Sequence, residues 1–491
     1  MIRCLAELRT RAKDCRQQAA PSRCEAHAIG QPVGPATHRE TPVSNDSIAR
    51  IARRIDDSPR AHDGKGFDMH RSQRLLVSYT AIVGMLAAGG LSWPQYAIAA
   101  TGTSAAADVR PNVPDAHVRP AADGSDQAAE LQRAFDMLRP GQRLVFAPGR
   151  YVVGRSLTVR QPHVVLQGNG ATLVATSPND QTLELRGDGT ALVGFRFKGT
   201  GTTRLGSRES TKIQVTGHDV QVLGNVIDGG ASAGIFVFGG SAVAIVGNEV
   251  RATLADGIHI THGARDVLVQ RNVVGDTGDD MIAVVSYQQD GALSRNVLIT
   301  GNSLEGNAWG RGITVVGGAD VTIANNVVRN VQVSSGILVG QEDSWHTYGA
   351  SNVRIENNVI SDIQTKADRT DPRPVTQQGA IEVSTWSGKI SRVTVIGNRV
   401  SNTRFDAIRL WGNVSDVRLA DNQLAGIGAQ PVRVGSSNGC AAGRLPGVSA
   451  ASAMIGTLCG GATQAMSAAA DAAGADPSSL PRVREALRQT R

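Results

Sequence analysis

Apolar positions through the middle of the chain follow a fixed two-part pattern. A run of the form Val-x-Ile-x-Gly-Asn is followed by an apolar pair, then by a shorter run of the form Gly-Ile-x-Val. The asparagines closing the first run are Asn225, Asn248, Asn272, Asn302, Asn326, Asn358, Asn398 and Asn422, with gaps of 23, 24, 30, 24, 32, 40 and 24 residues. Both runs alternate apolar and polar with period two, which predicts half-buried strands rather than helix. Three short strands per 24 residues, without a helical segment between them, describe one coil of a solenoid. The expected fold is all-β: a single-stranded right-handed parallel β-helix.

The recurring Asn is read as structural. It tolerates the left-handed conformation of a sharp corner, and its amide can bond identical amides in the coils above and below. Residues 126–138 carry an apolar set at helical spacing (Ala129, Leu131, Ala134, Phe135 and Leu138) closed by Gly141. This predicts an N-terminal capping helix over the open end of the stack. The β-helix is expected over residues 123–435, after a linker at 100–122. Residues 436–491, rich in Ala, Gly and Ser, are expected to form a partly disordered C-terminal cap or tail.

The first hundred residues read differently. Met69 opens a basic stretch, an apolar run from Leu75 to Leu91 and an Ala-Ile-Ala site at Ala97–Ala99. That order describes a secretory signal peptide over 69–99. It follows a polar leader, residues 1–68, that is best explained by a start assigned too far upstream. Retention of the apolar run as a membrane anchor is the alternative; its length is marginal for a span. A secreted or periplasmic protein is expected, without a stable membrane span once the signal is cleaved.

Charge and cysteines follow from that division. Residues 1–100 hold 14 Lys+Arg and 9 Asp+Glu of the chain's 50 and 43, so the remainder has 36 against 34, a net charge of +2 rather than +7. With no basic stripe interleaved with aromatics, nucleic-acid binding is excluded as a leading reading. Cys440 and Cys459 are the cysteines outside the leader and are expected to form a disulfide. No metal or cofactor is implied by the repeats, and a monomer is expected.

The run from Asp123 to Asp126, the following helix, Phe146-Ala147-Pro148-Gly149-Arg150-Tyr151 and Leu166-Gln167-Gly168-Asn169-Gly170-Ala171-Thr172-Leu173 resemble the N-terminal signature of the pectate-lyase-like superfamily. The resemblance implies a right-handed β-helix, often acting on polysaccharide, and spans roughly residues 123–434.

Two adjacent coils carry acids just ahead of the Gly-Ile strand: Asp256-Gly257-Ile258-His259 and Gly278-Asp279-Asp280-Met281-Ile282. Aligning the strands puts Asp256 beneath Asp280 with Asp279 alongside, and stacked strands lie about 4.8 Å apart. Carboxylates so close cannot all ionise freely, so one is expected to keep a proton and serve as an acid. Such a cluster can supply the acid and base of glycoside hydrolysis. The pair of coils is similar to the matching pair in polygalacturonase-type glycoside hydrolases, which implies that Asp256, Asp279 and Asp280 are the acid and water-activating groups. That family's Gly-His-Gly is here Gly310-Arg311-Gly312, and its Arg-Ile-Lys is here Gly336-Ile337-Leu338. These departures weaken a polygalacturonate substrate and admit a lyase or epimerase in which Arg311 lies near the abstracted proton. A non-catalytic carbohydrate-binding solenoid is the third reading. Asp before Gly is also an ordinary turn residue, as Asp406 and Asp320 are expected to be. His259 is expected to project outward as a charge-positioning neighbour or a solvated side chain. Stereochemistry stays open.

Aromatics make up 4% of the chain, yet Trp309, Trp345, Trp386 and Trp411 fall in four consecutive coils. They are candidate platforms for an extended glycan, each also able to pack on its own coil edge. The longer gaps place insertions at 285–296, 341–352 and 362–378, and loops on one region of a repeat array commonly build its binding face. Glu382 and Arg409, in adjacent coils, are substrate-binding candidates, with a surface ion pair as their simpler role.

Overall fold

The computed structural model describes residues 113–177, 182–207, 210–366, 376–435 and the strand Ser452–Ile455. The leader, the signal-peptide segment, Cys440, Cys459 and most of the tail lie outside the described residues.

Three sheets of 13, 11 and 11 strands run the length of the stack. One coil illustrates all of them. Arg265–Gln270 belongs to the first sheet, Val273–Thr277 to the second and Ile282–Val285 to the third; Arg295–Thr300 then returns to the first. It pairs parallel with the strand below it, Val267 opposite Val297 and Val269 opposite Ile299. The inward rows are mostly Val, Ile and Leu, with Phe146, Tyr151 and Phe197 in the first coils, and these side chains merge into one apolar column. Ile282–Val285 is the sixth of eleven strands in its sheet. At the far end Ser452–Ile455 pairs antiparallel with Val414–Ala420.

The ladder of asparagines forms at the corner between the first and second sheets. From Asn225 to Asn398, each backbone N–H and each Nδ2 donates to the Oδ1 of the next coil's Asn, at 2.9–3.1 Å. The ladder starts on Phe195, whose N–H donates to Asn225 Oδ1 at 3.0 Å. One detail corrects the sequence reading. The left-handed residue is the one before each Asn (Gly224, Gly247, Arg271, Gly301, Asn325, Asn357, Gly397 and Asp421), with φ between 53 and 67°. Taking the turn one residue early lets the Asn itself point inward and stack.

The capping helix runs Ala128–Asp136 and buries Ala128, Leu131 and Phe135; Ala128, rather than the exposed Ala129, completes the apolar face. Phe146 bridges helix to coils, 6.4 Å from Phe135, 5.2 Å from Tyr151 and 4.9 Å from Phe195 between ring centroids. Among the described residues no helix is long and apolar enough to cross a membrane.

Candidate active site

The acid cluster lies where the chain enters the third sheet. Strand pairing sets Ile258 opposite Ile282, which puts Asp256 beneath Asp280. Gly257 makes that approach possible: a Cβ there would collide with Val274 Cγ1 and lie 2.6 Å from the Met281 carbonyl. Its role is close packing, since its φ is not positive. One oxygen from each of Asp256, Asp279 and Asp280 lies within 4.8 Å of those of the other two.

Each acid has a different set of partners. Asp256 Oδ1 accepts the Asp280 N–H at 3.0 Å, and its Oδ2 lies 2.5 Å from His259 Nδ1. Asp280 Oδ1 accepts the Arg311 N–H at 2.7 Å, and its Oδ2 lies 3.7 Å from Arg311 Nη1. Asp279 Oδ2 accepts from Arg204 Nη1 at 2.6 Å. Arg311 Nη2 also donates to Glu342. Asp406 supplies an internal comparison. It accepts the Gln430 N–H at 2.9 Å and pairs with Arg433. The backbone bond is therefore shared by acids at this corner, and among the described residues three acids meet in the cluster.

The shared environment sets the protonation. Burial pushes the Asp280 carboxyl well above the usual carboxylate range, against the charge of Arg311. Burial and then the Asp256 charge raise Asp279, with Arg204 opposing. For Arg311, burial opposes the charge, but Asp280 and Glu342 outweigh it and hold its pKa above the ordinary guanidinium value. The trio of oxygens is spaced as a divalent cation would need, at metal–oxygen distances near 2.3–2.6 Å. Two guanidiniums already supply positive charge there.

Of the residues picked out in the sequence, Asp256, Asp279, Asp280, His259 and Arg311 come together. His259 points outward, but it is only 7% exposed and bonded to Asp256 rather than solvated. Trp309 borders the cluster, because a Cβ on the adjacent Gly310 would collide with Asp279 Oδ1. Trp345 and Trp386 sit on the opposite edge of the third sheet, after their strands, and are 56% and 68% exposed. Gln341 Oε1 ties their loops together by accepting from the Trp386 and Gly388 N–H groups at 3.1 and 2.9 Å. Trp411 lies within Ile408–Trp411 on the sheet itself, with Arg409 Cζ 5.3 Å from its ring centre.

Glu382 and Arg409 do pair, but not on the surface. Arg409 forks onto both Glu382 oxygens at 2.8–3.0 Å, and Glu382 is fully buried beneath the turn whose Gly379 N–H it accepts.

Arg204 and the Phe–His stack were not picked out in the sequence. Arg204 stands in the turn before Thr211–Val215 and reaches a coil three strands further along. Phe236 stacks on His259 at 5.0 Å, and Phe238 on His262 at 3.9 Å. The two phenylalanines were legible, as apolar residues at outward positions of Gly234-Ile235-Phe236-Val237-Phe238. Glu342 and Tyr287 lie on the insertions, which join through an antiparallel bridge between Tyr287 and Thr347.

The family described as a right-handed β-helix region matches residues 233–424. The chain is a right-handed parallel β-helix protein. Among solved structures, this β-helix protein is similar to the catalytic domain of a GH87 α-1,3-glucanase variant in complex with tetrasaccharides: 18% identity and a TM-score of 0.53, covering 66% of this chain and 59% of the glucanase chain. It is similar to the Dettilon tailspike protein at 15% identity and a TM-score of 0.50, covering 65% and 68%. It is also similar to the A-module of an Azotobacter vinelandii mannuronan C-5 epimerase at 17% identity and a TM-score of 0.48, covering 64% and 94%. The β-helix protein thus spans less than two thirds of the glucanase, and at these identities the likeness is one of fold. No curated protein matches the chain.

Proposed function

We propose that this β-helix protein is an exported glycoside hydrolase acting on a polysaccharide. The observation that carries the reading is the stacking of Asp280 on Asp256 with Asp279 alongside, three carboxyl groups sharing a partly dehydrated corner. Asp280, buried and held toward its protonated form, is the acid that donates to the departing sugar oxygen. Asp279 and Asp256 flank it as the groups that take a proton from water or stabilise the sugar cation. His259 orients Asp256, Arg311 orients Asp280, and Arg204 favours the carboxylate form of Asp279. That a β-helix neighbour is a glucanase catalytic domain in complex with tetrasaccharides supports a glycan as ligand.

The test compares wild type with Asp280→Asn for release of reducing ends from a polysaccharide panel. An unchanged rate removes the hydrolase reading. A binding solenoid is the second reading, favoured by the corner role that Asp256 and Asp280 share with Asp406. The lyase or epimerase reading is less well supported, because Arg311 is held in its charged form and so does not accept a proton. Ultraviolet absorbance from an unsaturated product end would restore it. Export is checked by N-terminal sequencing of protein recovered outside the cytoplasm, with an end near Ala99 expected.

A further inference from the structure

We infer that the polysaccharide taken by this site is neutral, without carboxylate or sulfate groups along its backbone. This rests on the hydrolase site above and names its substrate class.

Among the described residues, the guanidiniums along the outward face of the third sheet are matched by carboxylates. Arg186 forks onto Glu184 at 2.9–3.1 Å, Arg409 onto Glu382 at 2.8–3.0 Å, and Arg433 meets Asp406 at 2.6 Å. At the acid cluster Arg204 holds Asp279, while Arg311 holds Glu342 and faces Asp280. Recognition of a sugar carboxylate ordinarily uses a free guanidinium fork. Freeing Arg409 for that purpose would strand the fully buried Glu382.

The balance at the cluster points the same way. Even with Asp280 protonated, Asp256, Asp279 and Glu342 outnumber the two guanidiniums, so an anionic glycan would enter against an excess of carboxylates. Just below, Phe236 and Phe238 stand half-buried on the same face, stacked on His259 and His262. Apolar ring surface suits the C–H faces of uncharged sugars.

Affinity electrophoresis of the full chain tests this, with Asp280→Asn used to prevent degradation of the gel polysaccharide. Separate gels carry a neutral glucan, a neutral galactan, polygalacturonate and alginate. The expected result is retardation by a neutral polysaccharide that persists when salt is raised about tenfold, and none by either polyanion. Phe236→Ala is expected to weaken that retardation about tenfold. Retardation by a polyanion that fades with salt overturns the inference, as does the absence of retardation in every gel. Neutral binding by wild type without reducing-end release leaves the inference standing and removes the hydrolase reading instead.

Discussion

Asp256 Oδ1 accepts the backbone N–H of Asp280 at 3.0 Å, so the lower acid holds the upper one in place through the main chain. Asp256→Asn keeps an acceptor at that point and removes the charge, whereas Asp256→Ala removes both. Both variants are expected to lose roughly 10²–10⁴-fold in rate. Asp256→Ala should in addition melt earlier, by about 1 kcal/mol of stability for the lost bond. Parallel rate and thermal-melt measurements separate the two effects; full activity in Asp256→Asn would show that the acid serves the corner alone.

Asp280 should trade stability for chemistry. The folded protein holds its proton more tightly than the unfolded chain does, since burial raises the carboxyl above its ordinary 3.8. The folded state therefore carries more protons, and stability falls as pH rises from about 4 toward the folded value. Asp280→Asn is expected to be inactive yet to lose less stability over that rise than wild type. Denaturant midpoints across that pH range check the sign; equal slopes would refute it.

Arg204 lowers the pKa of Asp279 against burial and the Asp256 charge. Arg204→Gln should therefore move the acid limb of the pH–rate profile to higher pH, because Asp279 must lose its proton to act. A profile that only falls in height, without shifting, would make Arg204 a tether for its loop.

Asn302 sits inside the ladder, bonded both above and below. Asn302→Ala leaves the N–H of Asn272 and one of its two Nδ2 hydrogens buried without an acceptor, the other hydrogen staying on the Ile245 carbonyl. A cost of about 3 kcal/mol is expected from two such groups. Equilibrium unfolding measures it; a loss under about 0.5 kcal/mol would mean that water replaces the amide.

Gly257→Ala should damage fold and rate together. The added methyl would meet Val274 and the Met281 carbonyl. Overpacking of this kind costs about 1–3 kcal/mol and would push Asp256 from beneath Asp280. A variant with wild-type melting and rate would show the coils to be looser than their spacing implies.

The fold was legible because a solenoid writes its geometry as a period: the spacing of eight Asn marks the corner, and period-two alternation marks the inward rows. The meeting of Asp256 and Asp280 followed from strand alignment alone. Partners delivered from outside the period were not legible. Arg204 lies 75 residues from Asp279, and no repeat relates the two positions. Glu342 and Tyr287 stood on recognised insertions, but loop length does not say where a loop folds back. The burial of Glu382 escaped for a related reason: alternation names an outward side, not whether anything covers it.

Five strands of the third sheet lie on each side of Ile282–Val285, the strand that carries Asp279 and Asp280 at its entrance. A one-dimensional stack opens from its tips, where a coil has a neighbour on one side only. Among the described strands of that sheet, the acid cluster thus lies as far as possible from both ends. Several outer coils could melt and re-form without disturbing a proton at the centre.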